Sequence, residues 1–262
     1  MKILVTNDDG IYADGLWALV KELRDVGTVT VVAPDREQSG VGTSVTLHQP
    51  LRLGKIKPLL KRVNTYSVEG TPADSVILAL KFAMRDRADL VVSGINEGAN
   101  LGNDVFISGT VGAALQGYFY GIPAIAISVA AFEGFHFDVA ARLARLLASG
   151  IGDGALTQKL LLNVNLPNLP REKIEGIEIT KLGERKYADR IEQRHDGRRQ
   201  YYWIVHGESQ WNISPGSDIW ALKQNRISIT PLPNNPDSSN RHFLNGLALK
   251  LSQELLDNNL LK

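Results

Sequence analysis

The chain has 262 residues, 44% of them apolar, 22% charged and 7% aromatic, an ordinary globular composition that excludes collagen, coiled coil and wholesale disorder. Lys and Arg number 29 against 28 Asp and Glu, so no global field exists to hold a polyanion or a membrane surface, and neither nucleic acid nor membrane is an expected partner. Cysteine is absent and the five histidines never fall within five positions of one another, which removes disulfides, thiolate chemistry, Cys-bound zinc and any H-x-x-x-H ligand pair.

The first element, Ile3-Leu4-Val5, reads as a buried strand and turns polar at Thr6-Asn7-Asp8-Asp9, far short of a signal-peptide core. Nowhere do eighteen apolar residues run together. The expectation is a soluble, cytoplasmic protein. Leu16, Trp17, Leu19, Val20 and Leu23 form an i, i+3, i+4, i+7 stripe and predict a helix. Val29–Val32 reads as a second strand, Ala73–Met84 as a helix after Pro72, Leu90–Val92 as a strand, Ala124–Ile127 as a strand and Val139–Leu147 as a helix. Alternating strand and helix predicts an α/β fold with a parallel sheet covered on both faces.

Leu161-Leu162-Asn163-Val164-Asn165 still reads as a core strand, but Pro167, Pro170 and a charged stretch follow. The expected division is one domain over 1–262, with a catalytic core at 1–165 and a C-terminal extension at 166–262. Between Lys181 and Arg199 seven basic residues face four acidic ones, the pattern of a solvated arm, with reach towards an anionic substrate or a second subunit as the other reading. Gln200–Val205 and Arg226–Thr230 read as strands, and Phe243–Leu255 as a helix after a polar loop at 233–240.

In open parallel sheets the binding crevice lies beyond the strand C-termini. Asn7-Asp8-Asp9-Gly10 follows the first strand, Pro34-Asp35-Arg36-Glu37-Gln38-Ser39-Gly40 the second, and Ser93-Gly94-Ile95-Asn96-Glu97-Gly98-Ala99-Asn100 the strand at 90–92. A turn ending at Gly10 lets Asp8 and Asp9 converge on one cation. Ser39 and Asn96 add a hydroxyl and a carbonyl oxygen, completing an oxygen set suited to a hard divalent ion. The blander readings are an aspartate capping the helix near Asp14 and turn roles for Ser39 and Asn96. Ser108-Gly109-Thr110-Val111-Gly112-Ala113-Ala114 opens a helix whose N-terminus can hold phosphate, with simple capping by Ser108 as the alternative.

A dication beside a helix N-terminus describes a phosphomonoester site, in which the ion polarises the phosphoryl oxygen and acidifies the attacking water. Rival motifs fail: there is no G-x-x-x-x-G-K-[ST], no G-x-G-x-x-G after the first strand, no D-x-D and no G-x-S-x-G elbow.

These segments, with Glu69-Gly70-Thr71-Pro72-Ala73-Asp74 and later Ser217-Asp218 and Ile229-Thr230-Pro231-Leu232, resemble the SurE survival-protein family of metal-dependent nucleotidases over essentially the full length. The resemblance implies a Rossmann-like, three-layer parallel-sheet core with a C-terminal β-hairpin and helix extension used in oligomerisation. The hairpin arm would span about 182–232, and the protein would be a homodimer or homotetramer with C-terminal segments exchanged. It implies hydrolysis of nucleoside 5′-monophosphates, also 3′-monophosphates, and short polyphosphate in some members. One divalent cation per subunit, magnesium or manganese, would sit on Asp8, Asp9, Ser39 and Asn96. Asp8, Asp9 and Asn96 would be catalytic, and Asn96, Ser108, Gly109 and Thr110 would hold phosphate. Many members carry Tyr where this chain has Ile107 after Phe106, a difference expected to bear on substrate preference. The competing functional class is a non-catalytic nucleotide sensor that signals through the C-terminal arm.

Overall fold

The apolar runs at 3–5, 29–33, 90–92 and 124–127 are buried on both faces, as parallel strands sandwiched between helices must be. In the computed structural model, which describes all residues except 86, 132, 153–159, 187–189, 206–209, 233–237 and 257–262, they belong to β1 (Lys2–Thr6), β2 (Thr28–Pro34), β5 (Leu90–Glu97) and β6 (Ala124–Ala130). With β3 (Leu53–Lys55), β4 (Asn64–Val68), β7 (Leu161–Pro167), β8 (Ile177–Ile179) and β13 (Ile227–Leu232) they form one sheet in the order β3-β4-β2-β1-β5-β6-β7-β13-β8.

The run from β4 to β7 is parallel, whereas β3 pairs antiparallel with β4 and β13 antiparallel with β7. The sheet is therefore mixed, with its antiparallel pairings towards the two edges. Neither β3 nor β4 is evident from the sequence, because Asn64-Thr65-Tyr66-Ser67-Val68 is too polar to stand out from a loop. β13 and β8, in the C-terminal extension, continue the sheet of the core.

Helices α1 (Asp14–Leu23), α4 (Phe137–Gly152) and α6 (Ser238–Leu256) share one core with the strand faces that carry Ile3, Val5 and Val92; α2 (Pro72–Leu78) and α3 (Gly109–Phe119) share the other, with Leu4, Val32 and Val91. Helix α2 opens on a capping box, Thr71 accepting from the Asp74 N–H and Asp74 accepting from the Thr71 N–H. It continues as a π-helical turn at Ala79–Ala83. In α6 the buried side chains Leu244, Leu247, Leu251 and Leu255 recur at helical spacing.

The charged stretch after Lys181 forms two small ribbons separate from the main sheet. β9 (Glu184–Lys186) pairs with β12 (Gln210–Asn212), and β10 (Arg190–His195) pairs antiparallel with β11 (Gln200–Val205). The short helix α5 (Asp218–Lys223) and β13 then return to the body of the molecule. Part of the expected loop at 233–240 lies outside the described residues, and α6 begins at Ser238 within it.

Candidate active site

Chain order runs outward from β1 through β2 to β4 on one side, and through β5, β6 and β7 on the other. The direction reverses at β1, and the loops leaving β1, β2 and β5 surround that switch point, where a crevice opens in doubly wound sheets. The first two loops are tied together by main-chain bonds, Ile11 N–H to the Pro34 carbonyl at 2.8 Å and Gln38 N–H to the Asp8 carbonyl at 2.7 Å. Gly10 makes the turn possible. Its φ of +103° suits glycine, and a Cβ there would lie 3.2 Å from the Arg36 carbonyl carbon.

Asp8, Ser39, Asn96 and Ser108 come together on the wall of one pocket of about 240 Å³, with Glu97, Asn100 and Ile107. Two larger cavities, of about 300 and 310 Å³, lie elsewhere, one lined by Lys2, Arg85 and Arg87 and the other by apolar side chains including Phe106 and Phe119. Among the described residues neither is lined by a carboxylate, and the chemistry-bearing residues meet in the smaller pocket.

Asn96 is not on a loop as expected. β5 runs on to Glu97, with Asn96 beside Ser128 and Glu97 beside Val129 of β6 after a register shift that follows Ser93. Pairing with β6 overrides the polarity of Ser93-Gly94-Ile95-Asn96-Glu97 and sets Asn96 at a strand end. Its Nδ2 donates to the Gly98 carbonyl at 2.8 Å. Ser39 Oγ donates to Glu37 Oε1 at 2.7 Å.

The aspartates do not cap α1, whose N-cap is Ala13 without a side-chain bond. Asp8 is instead buried and accepts the Thr110 hydroxyl through Oδ1. Gly109 packs against it so closely that a Cβ would lie 2.8 Å from the Asp8 Cβ and 2.9 Å from its Oδ2. Burial pushes the Asp8 carboxyl above its ordinary value, opposed mainly by the Thr110 bond. Asp9 is pushed up to about 8, first by burial and then by the charges of Asp8, Glu97 and Glu37. Its Oδ2 is buried without a hydrogen-bond partner.

Ser108 is the N-cap of α3, accepting the Val111 N–H at 3.2 Å. The capping role and the position on the pocket wall thus coexist in one residue. The hydroxyl of Thr110 is engaged by Asp8, so in this arrangement Thr110 and Gly109 shape the carboxylate as well as the helix N-terminus. Glu37, Glu97 and Asn100 were not among the expected site residues. The two glutamates stand within two residues of Ser39 and Asn96 in motifs already noted, but only the tertiary structure, through the loop after β2 and the register of β5, places their charge near Asp9.

The donor set fits a hard cation. Asp8 is buried, Asp9 is partly buried with an orphaned Oδ2, and the charges of the two carboxylates repel one another. Among the described residues no three His, Asp or Glu side chains form a metal-binding group, so the neutral oxygens of Ser39 and Asn96 would have to complete the coordination. No helix among the described residues is long and apolar enough to cross a membrane.

The family model for the survival protein SurE matches residues 3–189. A protein named 5′-nucleotidase SurE from Dehalococcoides mccartyi (strain CBDB1) is 50% identical over 234 residues, covering 88% of each chain. One of the same name from Vibrio parahaemolyticus is 46% identical over 234 residues, again 88% of each. The crystal structure of the Sure protein from Aquifex aeolicus matches with a TM-score of 0.75 at 37% identity, covering 98% of this chain and 100% of that one.

Proposed function

The chain belongs to the SurE family, and from that membership and the pocket just described we propose that it is a divalent-metal-dependent nucleotidase. It hydrolyses nucleoside 5′-monophosphates, and also 3′-monophosphates, to nucleoside and phosphate. The observation that carries this reading is the buried Asp8 carboxylate set against the N-terminus of α3, with the orphaned Oδ2 of the partly buried Asp9 next to it in the chain, at one sheet switch point.

Asp8, Asp9, Ser39 and Asn96 would hold one magnesium or manganese ion per subunit. When bound, that ion neutralises charge on the phosphoryl oxygens and acidifies the attacking water. The rest of the work falls to the chain. Thr110 fixes the Asp8 carboxylate by donating its hydroxyl, and Gly109 allows the helix to approach it. Asn96, Ser108 and the first turn of α3 steady the non-bridging oxygens as charge develops on them. Water adds to phosphorus as the bond to the nucleoside oxygen breaks; the water gives up a proton and the departing oxygen takes one up. Among the described residues no histidine lines the pocket, so the proton-transfer roles fall to carboxylates and water.

The hairpin β10–β11 supports a homodimer or homotetramer with exchanged C-terminal segments. Ile191 and Ile204, paired across the hairpin, and Trp203 on its opposite face are 61%, 68% and 56% exposed, apolar side chains that a solitary subunit would leave in water.

The test is phosphate release from a panel of nucleoside 5′- and 3′-monophosphates with magnesium, with manganese and with chelator. Release abolished by chelator and restored by the metal is expected. No release with any metal, from protein shown to be folded, would overturn the assignment in favour of a nucleotide-binding role without catalysis.

A further inference from the structure

Strand β7 is buried along its whole length, yet its sequence Leu161-Leu162-Asn163-Val164-Asn165-Leu166-Pro167 places two asparagines where the core calls for apolar side chains. A buried amide is costly unless its hydrogen bonds are made. Asn163 Oδ1 has no hydrogen-bond partner, and the other side-chain bonds of the two asparagines all go to one residue on the pocket wall. Asn165 Oδ1 accepts the Asn100 backbone N–H at 2.8 Å, and Asn165 Nδ2 donates to the Asn100 backbone carbonyl at 3.0 Å. Asn163 Nδ2 donates to the same carbonyl at 2.8 Å, while the Asn100 side chain donates to Ser128 Oγ of β6 at 2.9 Å.

Asn100 ends a five-residue segment that begins at Asn96, and all five residues line the pocket. The segment has a second anchor at its middle, where Gly98 N–H donates to the Val129 carbonyl at 3.0 Å. Between the two anchors lies the Gly98 carbonyl, which accepts from Asn96 Nδ2. The orientation of the Asn96 amide is therefore referred to a carbonyl whose place depends on how Asn100 is held.

We infer that Asn165, seconded by Asn163, is a positioning residue for the reaction: it clamps the Asn100 backbone and through it sets the Asn96 amide. The inference rests on the reading that Asn96 takes part in the chemistry. A side chain that merely filled the core would need no amide, and Leu would be the ordinary occupant of such a strand. A small displacement of a group that acts on the reacting atoms falls mainly on turnover.

The test compares N165L, N96A and the double variant in kcat and KM for a nucleoside 5′-monophosphate, with thermal unfolding as the control for folding. The expected result is a folded N165L whose kcat falls about 30-fold while KM moves by less than about threefold. In the N96A background the same change should lower kcat by less than about twofold, because the residue through which it acts is already gone. Where N165L does not fold, N163A, which removes one of the two donors to the Asn100 carbonyl, is expected to give a smaller loss with the same disappearance in the N96A background. A folded variant with wild-type kcat, or an equal loss with and without Asn96, would overturn the positioning role. An N96A protein of undiminished rate would overturn the reading of Asn96 itself, an outcome visible before either β7 variant is made.

Discussion

Asp218 and Gly102, 116 residues apart, are joined by a hydrogen bond from the Gly102 N–H to Asp218 Oδ2 at 2.8 Å. Asp218 is fully buried, and its Oδ1 also accepts from the N–H groups of Gly183 and Ile219, each at 2.8 Å. A single carboxylate thus ties the start of α5 to the root of the hairpin arm and to the turn at Gly102–Phe106 that leads into Ser108. Gly102 adopts φ +53°, and a Cβ there would lie 2.8 Å from the Gly183 carbonyl oxygen, so the junction has no room for a side chain.

Replacing Asp218 by Ala is expected to leave buried N–H donors unpaired and to lower stability by roughly 2–5 kcal/mol. Urea denaturation measures this directly. A loss under about 1 kcal/mol would show that water replaces the carboxylate without penalty.

Asp8→Asn and Asp9→Asn should each abolish chelator-sensitive phosphate release, by a factor of about 10³ or more, while leaving the fold intact. The metal-free D9N protein is further expected to melt at a higher temperature than metal-free wild type at neutral pH. At neutral pH folded wild type has to take up a proton at Asp9, because burial and three neighbouring carboxylates oppose its charge, and Asn removes that cost. Thermal unfolding in chelator, beside the activity assay, checks both halves.

The same carboxyl makes the stability of the metal-free protein depend on pH. Between its ordinary value of 3.8 and about 8 the folded chain holds a proton at Asp9 that the unfolded chain releases. Folding is therefore favoured most at the acid end of that window, and the Asp9 contribution is lost as pH rises through about 8. Melting curves in chelator across this range should show a downward trend for wild type that is reduced in D9N. Added magnesium should oppose the trend at the alkaline end, since it takes the place of the proton.

Gly109→Ala places a methyl group 2.8 Å from the Asp8 Cβ, and either the carboxylate or α3 has to shift. A misplacement of that order is expected to reduce kcat/KM about 100-fold. The stability change should be small by comparison with the kinetic one, since Ala otherwise suits a helix. Steady-state kinetics and a melting curve on the same preparation separate the two effects.

Serine at Ile191, Trp203 and Ile204 together should reduce the size of the assembly, read by light scattering or sedimentation, because the exposed apolar side chains of the β10–β11 hairpin are what a neighbouring subunit would cover. An unchanged assembly size would show that the hairpin is dispensable for association.

Much of this architecture is written in local pattern. Strands β1, β2, β6 and β7 and helices α1, α4 and α6 announce themselves through apolar runs and helical periodicity, because their burial is decided by their own residues. The clusters after β1 and β2 could also be read as binding loops, since polar residues at the ends of buried parallel strands have few other reasons to be there. Strands β3 and β4 could not, for their polar sequences become strands only through pairing with β2 and with each other. The extension of β5 through Asn96 to Glu97 is of the same kind.

By itself, then, the sequence of this protein determined the α/β class, the sheet-edge loops and the oxygen-rich residues Asp8, Asp9, Ser39 and Asn96, all of which depend on residue type and short spacing. Only the tertiary structure decided that Thr110 would grip Asp8, that Glu37 and Glu97 would press their charge on Asp9, and that β7 would hold the pocket wall through Asn100. Those relationships join residues far apart in the chain. They exist because strand order and register bring distant side chains together, and no local pattern carries that information.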